Sequence, residues 1–234
     1  MSHDIDFYQC IYPAMRQFKL INVIGIDGAG KTTLAVNLAK ELSKIDNSIE
    51  YRYCQYFAKL LYPIKKLAKF TVMRKTDEFK NYDNYNSTKK NTSSKYPVLA
   101  NAYAFLWLID YMAQSFVKVL VPIMIGKKLI IDRYIFDIAV NLSLTTNNEL
   151  SYAEKAIRFF TTFMPKPDLV IFIDISEDVA FERKDDIQDV EYLSERRVRY
   201  QSLSEKYNFI VLEGDQTQDK LLSEVMNVIC DEKK

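Results

Sequence analysis

Histidine and cysteine are scarce in this chain. Its 234 residues include one histidine and three cysteines, and Cys10, Cys54 and Cys230 are far apart in sequence. Structural and catalytic zinc sites draw mainly on closely spaced Cys and His ligands, so the composition argues against a zinc protein. Few cysteines also fit a reducing compartment, and we expect the chain to be cytoplasmic.

The chain has no excess of charge of either sign. It carries 32 Lys and Arg residues against 31 Asp and Glu residues, a formal net charge of +1. Proteins that bind nucleic acid through general electrostatics need excess or clustered positive charge. We therefore expect no nucleic-acid partner, and any anionic ligand must be bound locally. No basic segment followed by an apolar run is present at the N-terminus, so no signal peptide is predicted.

One apolar run is long enough to cross a bilayer. It extends from Val98 to Ile125 and is interrupted by Asp110, Gln114 and Lys118. An Asp and a Lys near the centre of a membrane helix cost about 2.5–3.5 kcal/mol each. We therefore expect a central helix of a soluble protein, buried on most of its sides, and no membrane partner.

Glycine is also scarce, and its distribution is uneven. Three of the five glycines fall between positions 25 and 30, in the segment GIDGAGKT that follows an apolar run and precedes a helical pattern. The spacing G-x-x-x-x-G-K-[ST] is that of a phosphate-binding loop, in which backbone N–H groups point at a phosphate. In such a loop Lys31 reaches the β- and γ-phosphates and Thr32 binds Mg²⁺. A glycine-rich turn without a ligand is the alternative. The predicted nucleotide-binding residues are Gly25, Asp27, Gly28, Ala29, Gly30, Lys31, Thr32 and Thr33.

Apolar runs and helical repeats alternate along the chain. The runs predict five strands, near residues 19–26, 49–53, 128–131, 168–175 and 209–212. Alternating strands and helices predict an α/β fold with three layers, in which helices cover both faces of a five-stranded parallel sheet. We expect a single domain over residues 1–234. It would include an N-terminal arm at 1–17, a mobile insertion at 74–96 and a short lid at 183–191.

Four segments together resemble one known family. They are GIDGAGKTT at 25–33, Val121-Pro122, KKLIIDRY at 127–134 and PDLVIFID at 167–174. In their order and spacing they are similar to the thymidylate kinase family, and the resemblance extends from about Leu20 to Val228. It implies a P-loop fold with a lid, ATP and Mg²⁺ as cofactors, and transfer of the γ-phosphate of MgATP to a nucleoside monophosphate. A homodimer is a further expectation.

The resemblance also implies roles for three residues near the phosphate loop. Asp27 matches the acidic residue that contacts the sugar hydroxyl of the acceptor, and Arg133 matches the arginine that bridges the acceptor and donor phosphates. Asp132 would orient Arg133 or a water bound to Mg²⁺. For each of these residues, the alternative is a buried ion pair at the end of a strand.

Position 28 of the loop is glycine, where part of the family has arginine. The cation that stabilises the transition state is then expected from the lid, and Arg183 and Lys184 are the candidates. The predicted catalytic residues are Lys31, Asp132, Arg133, Arg183 and Lys184, and the predicted Mg²⁺ ligands are Thr32 and Asp132.

The positions that read the base depart from the family pattern. Trp107 occupies the place of the stacking Phe, Tyr111 that of the arginine that bonds the base, and Asp137 that of a Ser. Arg52 is the only remnant of an Arg-Glu-Pro-Gly segment. Trp107 and Tyr111 could equally be core aromatics of a buried helix. The predicted substrate-binding residues are Asp27, Arg52, Trp107, Tyr111, Arg133 and Asp137.

The sequence therefore predicts an enzyme that phosphorylates a nucleoside monophosphate, with dTMP or a related pyrimidine nucleotide as the acceptor. A GTPase is disfavoured because the base-reading Asn-Lys-x-Asp segment is absent. Two alternatives stay open at this point. One is a kinase for another small acceptor such as a nucleoside, and the other is a nucleotide-binding protein without catalytic activity.

Overall fold

A computed structural model of the chain describes residues 11, 13, 16–57, 97–145, 150–183 and 189–231. Within these residues five strands form one parallel sheet in the order β2-β3-β1-β4-β5. The strands are β1 (Leu20–Gly25), β2 (Ile49–Tyr53), β3 (Lys128–Asp132), β4 (Leu169–Asp174) and β5 (Ile210–Glu213). The predicted α/β fold with a five-stranded parallel sheet is confirmed, and it is consistent with P-loop kinases.

The helices connect and surround these strands. They are α1 (Lys31–Ser43), α2 (Pro97–Ser115), α3 (Val121–Met124), α4 (Ile135–Thr145), α5 (Leu150–Phe163), α6 (Glu177–Glu182), α7 (Val190–Tyr207) and α8 (Gln218–Asp231), and a π-helical segment, Phe116–Leu120, joins α2 to α3. Helix α1 packs against β1, β2 and β3, helix α7 against β4 and α6, and helix α8 against α1 and β5.

The described residues divide into two compact units. The first comprises those within Met1–Gln55, Val117–Tyr134 and Pro165–Lys234, and it contains the whole sheet. The second comprises those within Tyr56–Phe116 and Ile135–Met164, where α2, α4 and α5 pack together. The single domain expected from the sequence stays a prediction.

The central strand of the sheet, β1, has no polar face. All six residues of β1 are buried between β3 and β4. A parallel strand covered on both faces needs apolar side chains on both, which gives the continuous apolar runs seen in the sequence. The exception is Asn22, which is fully buried and donates from Nδ2 to the carbonyl of Ile131 at 3.2 Å.

Helix α4 was not predicted from the sequence. Its residues Ile135, Phe136, Ile138, Ala139, Val140 and Leu142 are all buried. A helix that is buried all round lacks the repeat of 3.6 residues that reveals a helix with one buried face.

The expectation that the long apolar helix is buried on most sides is wrong for the described residues. Val98, Phe105, Leu106 and Phe116 are between 45% and 79% exposed. The segment Asn101–Met124 is long and apolar enough to cross a membrane by length and composition, although core helices of soluble proteins meet the same criteria. An apolar run identifies a helix that avoids water, but it does not identify which surface covers it.

Several expectations lie outside the described residues. They concern most of the N-terminal arm, the insertion at 74–96, Lys184 and most of the lid at 183–191. They stay predictions.

Candidate active site

The phosphate loop is closely packed at Gly28. This residue has φ +89°, and a Cβ atom built on it would lie 2.3 Å from the carbonyl oxygen of Ala180 in α6. An L-residue side chain would be strained here both by its backbone angle and by lack of space. The glycine that the sequence shows in place of a loop arginine is therefore required by the packing of α6 on the loop.

The N-terminus of helix α1 follows the loop directly. Its N-cap is Gly30, in the left-handed region, and no side chain among the described residues caps it. The first N–H groups of a helix have no intrahelical acceptor, and together with the helix dipole they attract anions. The loop and helix thus form the arrangement of backbone donors that binds a phosphate.

Three charged side chains meet beside the loop. The guanidinium of Arg133 donates to Oδ1 of Asp27. Lys31 Nζ lies 3.8 Å from the same oxygen and donates to the carbonyl of Ile26 at 2.6 Å. Lys31 is only 5% exposed. Two of these three side chains are cations, and their charges favour an anionic ligand beside the loop.

The backbone of Arg133 is strained. Its φ is +65°, although it is not a glycine, and it follows the last residue of β3. Such conformations cost about 1–3 kcal/mol and persist where surrounding contacts hold them. The next residue provides such contacts, since Tyr134 is fully buried and its hydroxyl donates to the carbonyl of Pro165 at 3.2 Å. Burial also raises the pKa of Tyr134 and keeps that hydroxyl protonated.

Asp132 and Thr32 supply oxygen atoms that fit Mg²⁺. The Thr32 hydroxyl donates to Oδ2 of Asp132, which is fully buried. Its other oxygen, Oδ1, has no hydrogen-bond partner among the described residues. A buried carboxylate oxygen needs a donor or a cation, and Mg²⁺ prefers one or two carboxylates completed by water and phosphate. In the described part of the chain no cluster of three or more His, Cys, Asp or Glu residues could hold a metal ion.

A residue of helix α7 also reaches Asp27. The hydroxyl of Tyr192 lies 3.4 Å from Oδ2, the oxygen opposite the one that Arg133 contacts. The guanidinium carbon of Arg196 lies 3.5 Å above the Tyr192 ring, and its N–H donates to the Tyr192 carbonyl at 3.3 Å. Stacking of this kind restrains the ring. The carboxylate of Asp27 is therefore contacted at both of its oxygens.

The same helix is attached to the end of β4 by ion pairs. Arg197 Nε lies 2.6 Å from Asp174 Oδ1, and its NH1 lies 2.8 Å from Glu177 Oε2. Gln201 donates to Asp174 Oδ2 at 3.0 Å. The hydrogen bond to Asp174 raises the pKa of Arg197, so the guanidinium stays charged. This network connects α7 to the strand end and to α6.

Two other predicted cations occupy different surroundings. Arg183 is exposed and donates from NH1 to the carbonyl of Gly214 at 3.1 Å. Arg52 pairs with Glu50 at 2.6 Å within β2, one residue before the strand end that lies beside Asp132.

The predicted base-binding residues belong to the second unit. Tyr111 is 1% exposed and stacks on Phe160 with 5.7 Å between ring centres. Trp107 contacts the rings of Tyr56 and Tyr103 at 5.2 Å and 6.4 Å. Asp137 is buried in the first turn of α4. Buried stacking is what the core reading of Tyr111 predicts, whereas Trp107 keeps a partly exposed ring.

A polar network in this unit was not predicted as part of the site. Tyr56 donates to Oδ2 of Asp110 at 2.9 Å, and Gln114 donates to Oδ1 of Asp110 and to the carbonyl of Phe57. Asp110 and Gln114 lie four residues apart in an apolar helix. Burying such a polar pair without partners is costly. Its presence in an apolar helix was therefore the signal in the sequence that these side chains bind another segment of the chain. For Tyr192 the sequence offers no comparable signal.

The fold and the loop define a class. A parallel α/β sheet with a G-x-x-x-x-G-K-T loop between β1 and α1, and with charged residues at the ends of β3 and β4, is consistent with P-loop kinases. No protein-family model matches the chain.

Three curated proteins are similar to the chain over most of its length. A probable thymidylate kinase 1 from Saccharolobus solfataricus is 28% identical over 90% of this chain and 96% of its own length. A probable thymidylate kinase from Sulfurisphaera tokodaii is 25% identical over 91% and 96%. A third, from Methanocaldococcus jannaschii, is 25% identical over 88% and 90%. This likeness confirms the resemblance to the thymidylate kinase family that the sequence motifs predict.

Proposed function

We propose that the protein transfers the γ-phosphate of MgATP to a nucleoside monophosphate, with dTMP or a related pyrimidine nucleotide as the acceptor. The observation that carries this proposal is the convergence of Lys31, Asp27 and Arg133 beside the phosphate loop. A loop alone would fit many nucleotide-binding proteins. An arginine held against the loop carboxylate adds a cation where a second phosphate group would approach.

Each residue of this cluster has a task that its contacts support. The loop N–H groups and Lys31 bind the β- and γ-phosphates, and Lys31 offsets negative charge on the transferred group. Arg133 holds the acceptor phosphate in line with the donor. Asp27 accepts a hydrogen bond from the acceptor sugar. Phosphoryl transfer needs mainly positioning and charge neutralisation, so no covalent protein intermediate is required.

Mg²⁺ would supply charge neutralisation at the β- and γ-phosphates. Thr32 and Asp132 are the residues that would hold it, Asp132 directly or through a water. The buried Oδ1 of Asp132 supports this part of the proposal.

A lid cation completes the proposed machinery. Gly28 excludes an arginine from the loop, which supports a cation from elsewhere. Arg183 remains the candidate among the described residues, because Arg197 is already paired with two carboxylates. Lys184 is proposed with it from the sequence alone.

The acceptor base is proposed to stack on Trp107. The other proposed acceptor contacts are Tyr111, Asp137 and Arg52, each carried over from the sequence. Stacking binds any base, since every base has a π-face. The proposed contacts therefore support a nucleoside monophosphate as the acceptor class more directly than they support thymidylate in particular.

A phosphotransfer screen tests the proposal. The purified chain is incubated with MgATP and a panel of nucleosides and nucleoside monophosphates, and ADP formation is measured with and without each acceptor. Turnover that depends on a monophosphate supports the proposal. Turnover with nucleosides alone would indicate a nucleoside kinase, and nucleotide binding with no turnover for any acceptor would indicate a non-catalytic protein.

A cytoplasmic location and a homodimer stay proposals. Light scattering of the purified chain measures its mass in solution and decides the second. On helix α2, Phe105, Leu106 and Ile109 are between 38% and 49% exposed.

A further inference from the structure

The carboxylate of Asp27 is held by two separate elements. Arg133, after β3, and Lys31, in α1, contact Oδ1. Tyr192, in the first turn of α7, lies 3.4 Å from Oδ2. A carboxylate contacted at one oxygen can still rotate about its χ2 torsion, which is broad for Asp. A contact at the second oxygen limits that rotation.

The Tyr192 ring is itself restrained. Arg196 lies one turn further along α7, with its guanidinium carbon 3.5 Å above the ring. An N–H of Arg196 also donates to the Tyr192 carbonyl, so ring and guanidinium move with the helix. Helix α7 is in turn attached to β4 through Arg197 and Asp174. The position of the phenol hydroxyl is therefore fixed by helix α7, which is anchored to the sheet.

The geometry points to Tyr192 as a positioning residue that fixes Oδ2 of Asp27 for the sugar hydroxyl of the acceptor. This inference rests on the proposed function, in which Asp27 accepts a hydrogen bond from that sugar. The phenol donates to one lone pair of Oδ2 and leaves another for the sugar hydroxyl. In this inference Tyr192 acts on the acceptor only through Asp27.

The test uses Tyr192→Phe, which removes the hydroxyl and keeps the ring beneath Arg196. We expect the KM for dTMP to rise about fivefold to twentyfold, around the lower end of what loss of a hydrogen bond to a charged group costs, because the phenol acts on the acceptor through Asp27. The KM for ATP and the midpoint of thermal unfolding should not change. Tyr207→Phe, at the other end of the same helix, is the matched control and should leave all three values unchanged.

A second acceptor separates positioning from a general effect. 2′,3′-Dideoxythymidine monophosphate has no hydroxyl to give to Asp27, so its KM should be nearly the same for wild type and Tyr192→Phe. This comparison is a double-mutant cycle between the phenol and the sugar hydroxyl. An equal rise for both acceptors, or no rise for either, would overturn the inference while the proposed function stands.

A further variant covers the case in which Tyr192→Phe does not fold. Arg196→Met removes the charge above the ring, and the KM for dTMP should rise about twofold to threefold with the same lack of effect on the dideoxy acceptor. An unchanged KM for dTMP in that variant would count against the inference. If the wild type phosphorylates no acceptor at all, the proposed function and this inference both fail.

Discussion

At the scale of single residues, Lys31 combines a buried aliphatic stem with a charged end group at the loop. Lys31 has almost no exposed surface and its ammonium lies among a carbonyl and a carboxylate. Because its aliphatic stem packs while its charge faces the loop, its charge can be removed without removing its packing.

We predict that Lys31→Met lowers kcat by at least about a hundredfold, since charge on the transferred phosphoryl group loses a preorganised cation. Methionine keeps most of the stem, so the thermal midpoint should shift by only a few degrees. Lys40→Met, on an exposed position of the same helix, is the control. A coupled assay of ADP formation measures the rate. Equal turnover by Lys31→Met and wild type would contradict the assignment of this site.

The residue scale also shows what the sequence could and could not predict. Lys31 and Thr32 belong to a loop motif whose spacing is set by backbone geometry, and Asp132 is predicted from the family resemblance; the Thr32 hydroxyl contacts Asp132. The contact between Tyr192 and Asp27 could not be predicted, because the two residues are 165 positions apart in sequence. It depends on how helix α7 is rotated about its axis, and no local sequence pattern determines that rotation.

At the scale of elements, two arginines of the segment around α6 and α7 have contrasting surroundings. Arg197 is paired with Asp174 and Glu177, and its removal would leave two carboxylates with fewer partners. Arg183 is exposed and donates only to a backbone carbonyl in the described contacts. We therefore expect the first to support the fold and the second to support activity.

Arg183→Ala is predicted to lower kcat about tenfold or more while the affinity for ATP changes less than threefold. A cation that acts on charge developing in the transition state affects the rate more than ground-state binding. Steady-state kinetics and direct binding of ATP in the absence of an acceptor measure the two effects. Arg158→Ala, an exposed arginine in α5, serves as the control. Full activity in Arg183→Ala would move the search for the cation elsewhere.

Glu177 gives a pH dependence of stability. Its own backbone N–H and, less strongly, Arg197 lower the pKa of its carboxyl below the ordinary 4.5, while burial opposes the shift. The folded state therefore binds this proton less readily than the unfolded state. Its contribution is present above about pH 4.5 and is lost as the pH falls through the lower folded pKa.

The corresponding prediction compares Glu177→Gln with wild type. The variant should be less stable by about 1 kcal/mol at pH 7, and the difference should vanish as the pH falls below 4.5. Urea unfolding at several pH values measures it, and Asp178→Asn, the neighbouring acidic residue of the same helix, is the control. A difference that stays constant from pH 7 down through the acid range would show that the ionised carboxylate of Glu177 is not its cause.

Element boundaries followed from sequence where the pattern was strong. Strand β2 and helix α7 have the predicted limits, Ile49–Tyr53 and Val190–Tyr207. Helix α4 was not predicted because it is buried all round and so lacks a helical repeat with one apolar face. The exposed face of α2 could not be predicted because apolar composition is the same for covered and uncovered helices.

At the scale of the whole molecule, the residues proposed to bind the acceptor are divided between the two units. The first unit holds the residues proposed for phosphate and sugar, which are common to all nucleoside monophosphates. The second holds the residues proposed for the base, where Tyr111 replaces an arginine and is buried against Phe160.

We predict that monophosphates are preferred over nucleosides and that discrimination among pyrimidine nucleotides is weak. An arginine fork would be worth about 1–3 kcal/mol of discrimination, whereas a buried tyrosine offers one hydroxyl at best. The measurement is kcat/KM for dTMP, dUMP, dCMP, UMP and thymidine under one set of conditions. A preference for dTMP above about a thousandfold, roughly 4 kcal/mol, would show that other residues replace the arginine.

The close packing at Gly28 also bears on how such a protein can change over time. A glycine codon becomes an arginine codon by one base change, so a loop arginine is near in genetic distance. The structure nevertheless disfavours this arginine, because its Cβ would lie 2.3 Å from the carbonyl oxygen of Ala180. Helix α6 would have to shift first. While helix α6 keeps this position, the packing disfavours an arginine at position 28, however often the mutation arises.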